Sequence, residues 1–432
     1  MPKKYFLKKR SIRGLFLFCI NIIIADNVSL IKISSIEIIG NHKTEDFIIK
    51  REIVHPINTV LDTNIVNEDK IRLVNLGIFS EVNWSIEPLD EGSAVLIYSI
   101  TESIQKTPPI VFPFYEENTG WSLQGLWLVN NFRGRNQQIS TVGSIGGKNT
   151  YGINYNNPWI FGDHISFNLN LQNTIFIHRY LSEDINLNSF KLGLGKWFSY
   201  KIKSLIEFDL VSKKFSNFNT KNRGKLHYIN PNFNLKYDSR DIYWNPSNGF
   251  LVSQNFNYKK GIISENFEYL SWKQSYAYFI TIKKSKKKIV LGLNNIIKKS
   301  YGNKNKFWIE SFGGSSTIRG WDLPDSNIYK NEKFRFGYNY YQTSMELRYD
   351  AIPKYVTSQG IESGLIIVFF CDMGLINYDW EMLRKTIPMY GSGVGLRIPF
   401  PMIGVIRFDY GWGYRNNVWN SGSFHLSFGQ KF

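Results

Sequence analysis

Arg319 lies in the Gly/Ser-rich stretch ESFGGSSTIRGWDLP (Glu310–Pro324), and two carboxylates follow it, Glu346 in TSMELRYD and Asp372 in VFFCDMG. A guanidinium presents a planar fork of donors that can bond a carboxylate in bidentate fashion. On a solvated loop such a pair contributes little. In an interior poor in water the arginine requires a carboxylate. Met345, Leu347 and Tyr349 share one parity, which leaves Glu346 on the other; Phe369, Cys371 and Met373 do the same for Asp372. If both segments are strands, both carboxylates point away from the apolar face. A loop folded back against them would hold Arg319 between the two acids, with Gly320 allowing a sharp turn and Trp321 packed on the inner wall. The chain contains no phosphate-cradling loop, no triad-like set and no metal-ligand spacing, so no catalytic residue, cofactor or metal is expected.

Such an interior calls for a closed sheet. From Pro109 onward, segments of about ten alternating residues are separated by turns rich in Gly, Asn, Ser and Lys, the pattern of a membrane β-barrel. QQISTVGSIGG, HISFNLNLQNTIF, KIVLGLNNIIKK and VIRFDYGWGY are examples, and sixteen such segments fit before the C-terminus. No blade-length repeat of a soluble propeller is present. In the last segment, SGSFHLSFGQKF, Phe424, Leu426, Phe428 and Phe432 share one parity, opposite His425, Ser427, Gly429 and Lys431. One face suits lipid and the other a polar lumen. The first segment, TPPIVFPFYE, holds Pro108, Pro109 and Pro113, which cannot donate to a ladder, so few hydrogen bonds should close the barrel there. Of the two basic runs, Lys283–Lys288 reads as a solvated turn on the periplasmic side; Lys298–Lys306 falls outside, where a solvated run and contact with glycolipid phosphates are both open.

Composition agrees with an exported chain of two parts. No apolar run of helix-spanning length follows the N-terminus, and the mean hydropathy of −0.25 is compatible with a barrel whose faces average out. Residues 1–25 carry six Lys/Arg ahead of the apolar run Leu15–Ile24, the layout of an export signal cleaved near Ala25. Beyond that leader only Cys371 remains, which excludes an intrachain disulfide or a cysteine metal cluster. Residues 26–107 hold 7 Lys/Arg and 13 Asp/Glu, whereas residues 108–432 carry a net charge of +17. In an exported chain, anionic lipid or surface glycolipid suits that basic part better than nucleic acid.

The acidic part reads as a small α/β module. IKISSIEIIGN alternates as a strand ending in a Gly-Asn turn, and TEDFIIKREI follows as a helix with Thr44 as its cap. NEDKIRLVNLGIFS reads as a second helix capped by Asn67 and stopped at Gly77, and EVNWSIEPL and AVLIYSITES close the module as two strands.

The order β-α-α-β-β, with GN after the first strand and LGIFSEV after the second helix, resembles a polypeptide-transport-associated (POTRA) domain. GGSSTIRGW looks like the sixth extracellular loop of the BamA/TamA superfamily, with Trp321 a departure from its usual Phe or Tyr. YDSRDIYWNPSNGF, with Asp238, Arg240 and Asp241, is similar to the family's Asp-Arg-Asp strand. VFFCDMG, GVGLRIPFPMIGVIRFDYG and the final FGQKF, with Phe428, Gly429 and Phe432, follow in family order. The resemblance implies a mainly β protein: a 16-stranded antiparallel transmembrane barrel (106–432) after a leader (1–25) and one α+β POTRA domain (26–105) in the periplasm. It implies an outer-membrane factor that assembles or inserts barrel proteins without a cofactor, with Arg319 held by Glu346 and Asp372 and a C-terminal recognition signal around Phe424 and Phe432. Unfolded outer-membrane proteins are the implied substrates, with periplasmic chaperones or accessory lipoproteins as partners. A secretion pore for one partner polypeptide and a passive channel are the alternatives.

Overall fold

The computed structural model describes residues 31–432 apart from 90–91, 106–107, 162–163, 218–222, 244, 264–265, 357–361 and 401–403. The leader expected over 1–25 lies outside the described residues.

The N-terminal module is a sheet of four strands in the order β2-β1-β4-β3, with two helices on one face. Its strands are β1 (Lys32–Ile39), β2 (Thr59–Val60), β3 (Phe79–Pro88) and β4 (Ser93–Glu102); the helices are α1 (Asp46–Lys50) and α2 (Thr63–Asn75). Strands β1 and β4 run parallel and β3 is antiparallel to β4. Ile33, Ile48, Ile49, Val66, Leu73, Val82, Leu96 and Tyr98 form the core. Inside it, Asp69 of α2 is fully buried and accepts from Val54 N, His55 N and Tyr98 Oη at 2.9, 3.1 and 3.0 Å. One aspartate thereby fastens the chain between the helices to the sheet, as a buried carboxylate must.

Three local expectations need correction. The two-residue β2 borders β1, a strand too short to show periodicity. Helix α2 begins four residues before Asn67: Asp62 is the cap and accepts from Asn64 N at 2.8 Å, while Asn67 Oδ1 accepts from Trp84 Nε1 at 3.0 Å. Thr44 does not cap α1, because its hydroxyl donates to Glu102 Oε1 at 2.6 Å. Partial burial raises the Glu102 pKa, but hydrogen bonds from Thr44, Lys43 and Gln105 outweigh it, and the carboxyl stays below its ordinary range.

Among the described residues, sixteen strands from Ile110 to Phe428, with the two-residue Val418–Trp419 beside the last, form a closed antiparallel barrel. Alternation decides the faces, as in Leu192, Leu194, Ile206, Phe208 and Leu210, which point outward, while Gly193, Gly195 and Asp209 point in. The module meets the even-numbered strand ends. Asn131 Nδ2, in the second strand (Gly120–Phe132), donates to Thr44 Oγ1 at 2.8 Å, and Glu45 N donates to Gly134 O at 3.0 Å. Arg51 stacks on Trp159 of the fourth strand (Lys148–Phe161), and Arg72 on Tyr200 after the sixth (Glu183–Trp197). Asp238, Arg240 and Asp241 shape the turn after the eighth strand (Arg223–Asp238). The guanidinium of Arg240 grips Asp238 in bidentate fashion at 2.8 and 2.9 Å, and Asn75 of α2 donates to Asp241 O at 3.2 Å. Lys284–Lys288 lie in an exposed turn at this same end of the barrel.

The junction of the first strand (Ile110–Glu116) with the sixteenth (Ser423–Phe428) differs from every other. Both are about half the length of their neighbours, and they close the barrel over a shorter stretch than any other pair of neighbouring long strands. Phe114 and Phe428 stack there with ring centroids 4.8 Å apart.

Candidate functional site

Residues 303–338 connect the eleventh strand (Ile289–Gly302) to the twelfth (Asn339–Val356) at the end away from the module, and the chain folds back into the lumen. Short pieces stiffen it. A two-residue hairpin pairs Glu310–Ser311 with Phe336–Gly337, and α3 (Ser326–Asn331) is capped by Asp325. Arg335, also buried, bonds Phe312 O at 2.9 Å and closes the base of the loop. Phe312 and Ile318 pack on Tyr340, Ile376 and Met389 of the wall.

At the loop's deepest point Arg319 is fully buried, as are Glu346 on the twelfth strand and Asp372 on the thirteenth (Glu362–Asn377). The outward exposure of Met345, Leu347 and Phe369 follows from the same alternation. The guanidinium bonds Asp372 twice, Nε to Oδ2 at 2.8 Å and Nη2 to Oδ1 at 2.9 Å, and its Nη1 reaches Glu346 Oε1 at 2.6 Å. Its backbone N–H also donates to Asp372 at 3.0 Å, and its plane lies 3.7 Å from the Phe370 ring centroid. Geometry of this kind offsets the desolvation of the charges. Gly320 has φ +86, and an added Cβ would come within 2.6–2.8 Å of the Trp412 backbone, so the position requires glycine. Trp321 donates its indole N–H to Tyr390 O at 2.7 Å and rests against the fourteenth (Met389–Phe400) and fifteenth (Gly404–Arg415) strands.

The cluster is larger than the three residues singled out by sequence. Arg348 bonds Glu346 at 2.9 Å, Arg397 bridges Glu346 and Asp409 at 3.2 and 2.7 Å, and Arg407 donates to Ser315 O at 2.9 Å. Lys431 reaches Asp372 at 2.8 Å. Parity could have found most of them: Arg348 shares the inward side with Glu346, and Arg397, Arg407 and Asp409 alternate with outward apolar residues. Parity also puts Lys431 on the lumen side, although the route by which it arrives there is not a strand. The strand ends at Phe428, Gly429 turns the chain with φ +80, and residues 430–432 enter the lumen. Phe432 is therefore not on the lipid side with Phe424 and Phe428, as strand parity had suggested; its ring lies 5.8 Å from that of Phe279 and 5.2 Å from the Arg348 guanidinium.

The basic run Lys298–Lys306 is largely spoken for. Lys298 pairs with Glu310, Lys306 with Glu183, and Lys304 with Asp379 at 3.1 Å, which leaves fewer charges for glycolipid than expected. The inner wall of strands four to nine is different, carpeted with Asn and Lys. Asn168 donates to Asn154 at 3.2 Å, Asn255 to Asn232 at 2.7 Å, and Asn232 to Glu207 at 3.0 Å. Between this wall and the loop lies a cavity of about 470 Å³ lined by Lys148, Phe176, Arg179, Lys213, Phe307 and Leu323 among others. No group of three or more metal-ligating side chains occurs among the described residues. The arrangement holds a loop inside a barrel and leaves one junction weakly closed.

Residues 131–432 match the Omp85 superfamily domain, and residues 31–103 match a POTRA domain, the surface antigen variable number repeat. Among solved structures, the fold resembles BamA from Haemophilus ducreyi lacking POTRA domains 1–3, at 16% identity and a TM-score of 0.56, covering 92% of this chain and 83% of that one. It also resembles CdiB from Escherichia coli at 14% identity and a TM-score of 0.57, covering 93% and 76%. CdiB from Acinetobacter baumannii aligns at 16% identity with a TM-score of 0.54, covering 93% and 74%. At these identities the likeness concerns the fold.

Proposed function

The chain belongs to the Omp85 superfamily, and from that premise we propose that it inserts or assembles β-barrel proteins in the bacterial outer membrane. An Omp85 barrel joined to a POTRA domain implies that membrane, with the POTRA domain in the periplasm. The observation that carries the reading is the junction of first and last strands, where two short strands close the barrel over the shortest stretch of any neighbouring long pair. Unpaired strand edges template the addition of another strand. An incoming polypeptide adds there, while the ten-residue β3, at the border of the POTRA sheet, offers a second edge for extended substrate on the periplasmic side. The buried cluster around Arg319 keeps the loop seated while the junction moves. Chaperones or accessory lipoproteins would meet the POTRA domain, and lipid the outward apolar face.

The test is a reversible lock. Cysteines replacing Phe114 and Phe428 should form a disulfide across the stacked pair and stop insertion of unfolded barrel substrates into vesicles, with recovery on reduction. Normal insertion by the locked protein refutes the reading. The Asn- and Lys-lined half-lumen favours a second reading, export of one partner polypeptide through the barrel. Depletion in cells separates the two: a broad loss of outer-membrane proteins supports insertion, and loss of one secreted protein supports export.

A further inference from the structure

A buried side-chain contact crosses the junction where the first and last strands meet only briefly. His425 of the sixteenth strand and Glu117, in the turn after the first strand, are joined by Nδ1 and Oε1 at 2.6 Å. The His425 side chain is 1% exposed and that of Glu117 16%. His425 Nε2 faces the backbone N–H of Gly320 at 3.0 Å. An amide nitrogen can only donate, so Nε2 accepts, the ring proton sits on Nδ1, and that proton is donated to Glu117. The second Glu117 oxygen accepts from Ser315 N at 2.6 Å, and Arg179, between the fifth strand (Ile165–His178) and the sixth, donates to the Glu117 carbonyl at 2.5 Å. Asn420, before the sixteenth strand, donates to Gly320 O at 2.6 Å and completes the grip on the arginine–glycine turn.

We propose that Glu117 and His425 form a latch that holds the junction shut and makes its closure depend on the seated loop. The loop is held by strands twelve to sixteen and also by Tyr180, whose hydroxyl donates to Ile309 O at 2.7 Å, and by Glu183 of the sixth strand. Beside the first strand, Glu117 plugs into it, bonding the last strand through His425 and the loop through Ser315. Separating the first strand from the last must withdraw Glu117 from both. Displacing the loop removes the Gly320 and Ser315 bonds that orient the pair, and so loosens the junction at a distance. Both residues are positioning residues; neither need touch a substrate.

The inference rests on the proposed opening of this junction, but its test does not depend on insertion. Hydrogen–deuterium exchange is measured on the full chain in nanodiscs, with heat-modifiable migration as the check on folding. Glu117→Ala should speed exchange of the Ser423–Phe428 amides about tenfold, the factor for losing two buried hydrogen bonds of modest net worth. Exchange in the seventh strand (Ile202–Asn217) should not change. His425→Ala should give a smaller increase, because Ser315 still holds Glu117. His425→Gln, whose amide donates and accepts as the ring does, should restore slow exchange, and His425→Leu should not. If Glu117→Ala fails to fold, Glu117→Gln replaces it, with an increase of about threefold because one carbonyl must serve two donors. Unchanged exchange in the glutamate variants, or equal exchange in the Gln and Leu variants, overturns the latch. A locked junction that still supports insertion would overturn the function and leave the exchange result standing.

Discussion

The two halves of the barrel interior handle polar side chains in opposite ways. Behind strands twelve to sixteen, Arg319, Arg348, Arg397, Arg407 and Lys431 converge on Glu346, Asp372 and Asp409, all at most a few per cent exposed. Behind strands four to nine the groups are asparagines and lysines, mostly half-buried, that bond one or two neighbours and border a cavity. The first half spends ion pairs on fixing one loop; the second keeps its polar groups near space open to water. A charge cluster without water is an all-or-none unit, whereas a wet polar wall is a sum of replaceable parts.

The sharpest way to break this contrast is Arg319→Ala, which takes from Asp372 its bidentate partner and from Glu346 one of three arginines. Removing one partner of such a pair costs about 3–5 kcal/mol. The strands should remain paired, and limited proteolysis should show new cleavage between Phe307 and Lys330. Arg319→Lys should rescue only in part, since an ammonium lacks the fork. Replacing Glu346 and Asp372 together with amides should reproduce the alanine phenotype and add little to it. Additive losses in the triple variant would show that the cluster is not one unit. Next in size, Gly320→Ala should lower the denaturation midpoint through strain of about 1–3 kcal/mol at a positive φ, before any clash with Trp412.

The wet half should respond weakly. Asn232→Ala or Asn255→Ala should shift stability by about 0.5 kcal/mol, because water replaces the lost partner. A shift as large as that for Gly320 would erase the distinction between the halves. The smallest effect concerns Glu102, outside the barrel. Its pKa is held below the ordinary value of 4.5, so its contribution is full above that pH and fades as pH falls through the lower folded value. Glu102→Gln should remove the acid-side loss of contact between Thr44 and Asn131, read by protease access to residues 31–103.

The sequence exposed the alternating strands and the inward carboxylates because period-two patterning carries both, as with Met345–Glu346–Leu347 and Cys371–Asp372–Met373. It did not expose what depends on a single backbone torsion or on partners remote in the chain. The parity of Phe432 is the clear case: alternation continues on paper through Gly429, while the chain turns there and the terminal ring enters the lumen. Thr44 is another, a hydroxyl that looks like a helix cap until Glu102 arrives from β4. Parity turns His425 to the lumen, but nothing in FYEENTG or SFHLSFG says that it will meet Glu117.

That meeting has a consequence for the order in which the chain assembles. Glu117 and His425 are 308 residues apart, and bringing chain ends together loses entropy with the logarithm of the loop. The term is about 5 kcal/mol for so long a closure, against about 2 kcal/mol for a hairpin of about ten residues. Every other neighbouring pair of strands is joined through a shorter connection and can zip beforehand. The ring therefore shuts last, at the place with the fewest bonds to offset the lost freedom, and the same entropy favours this place as the first to come apart.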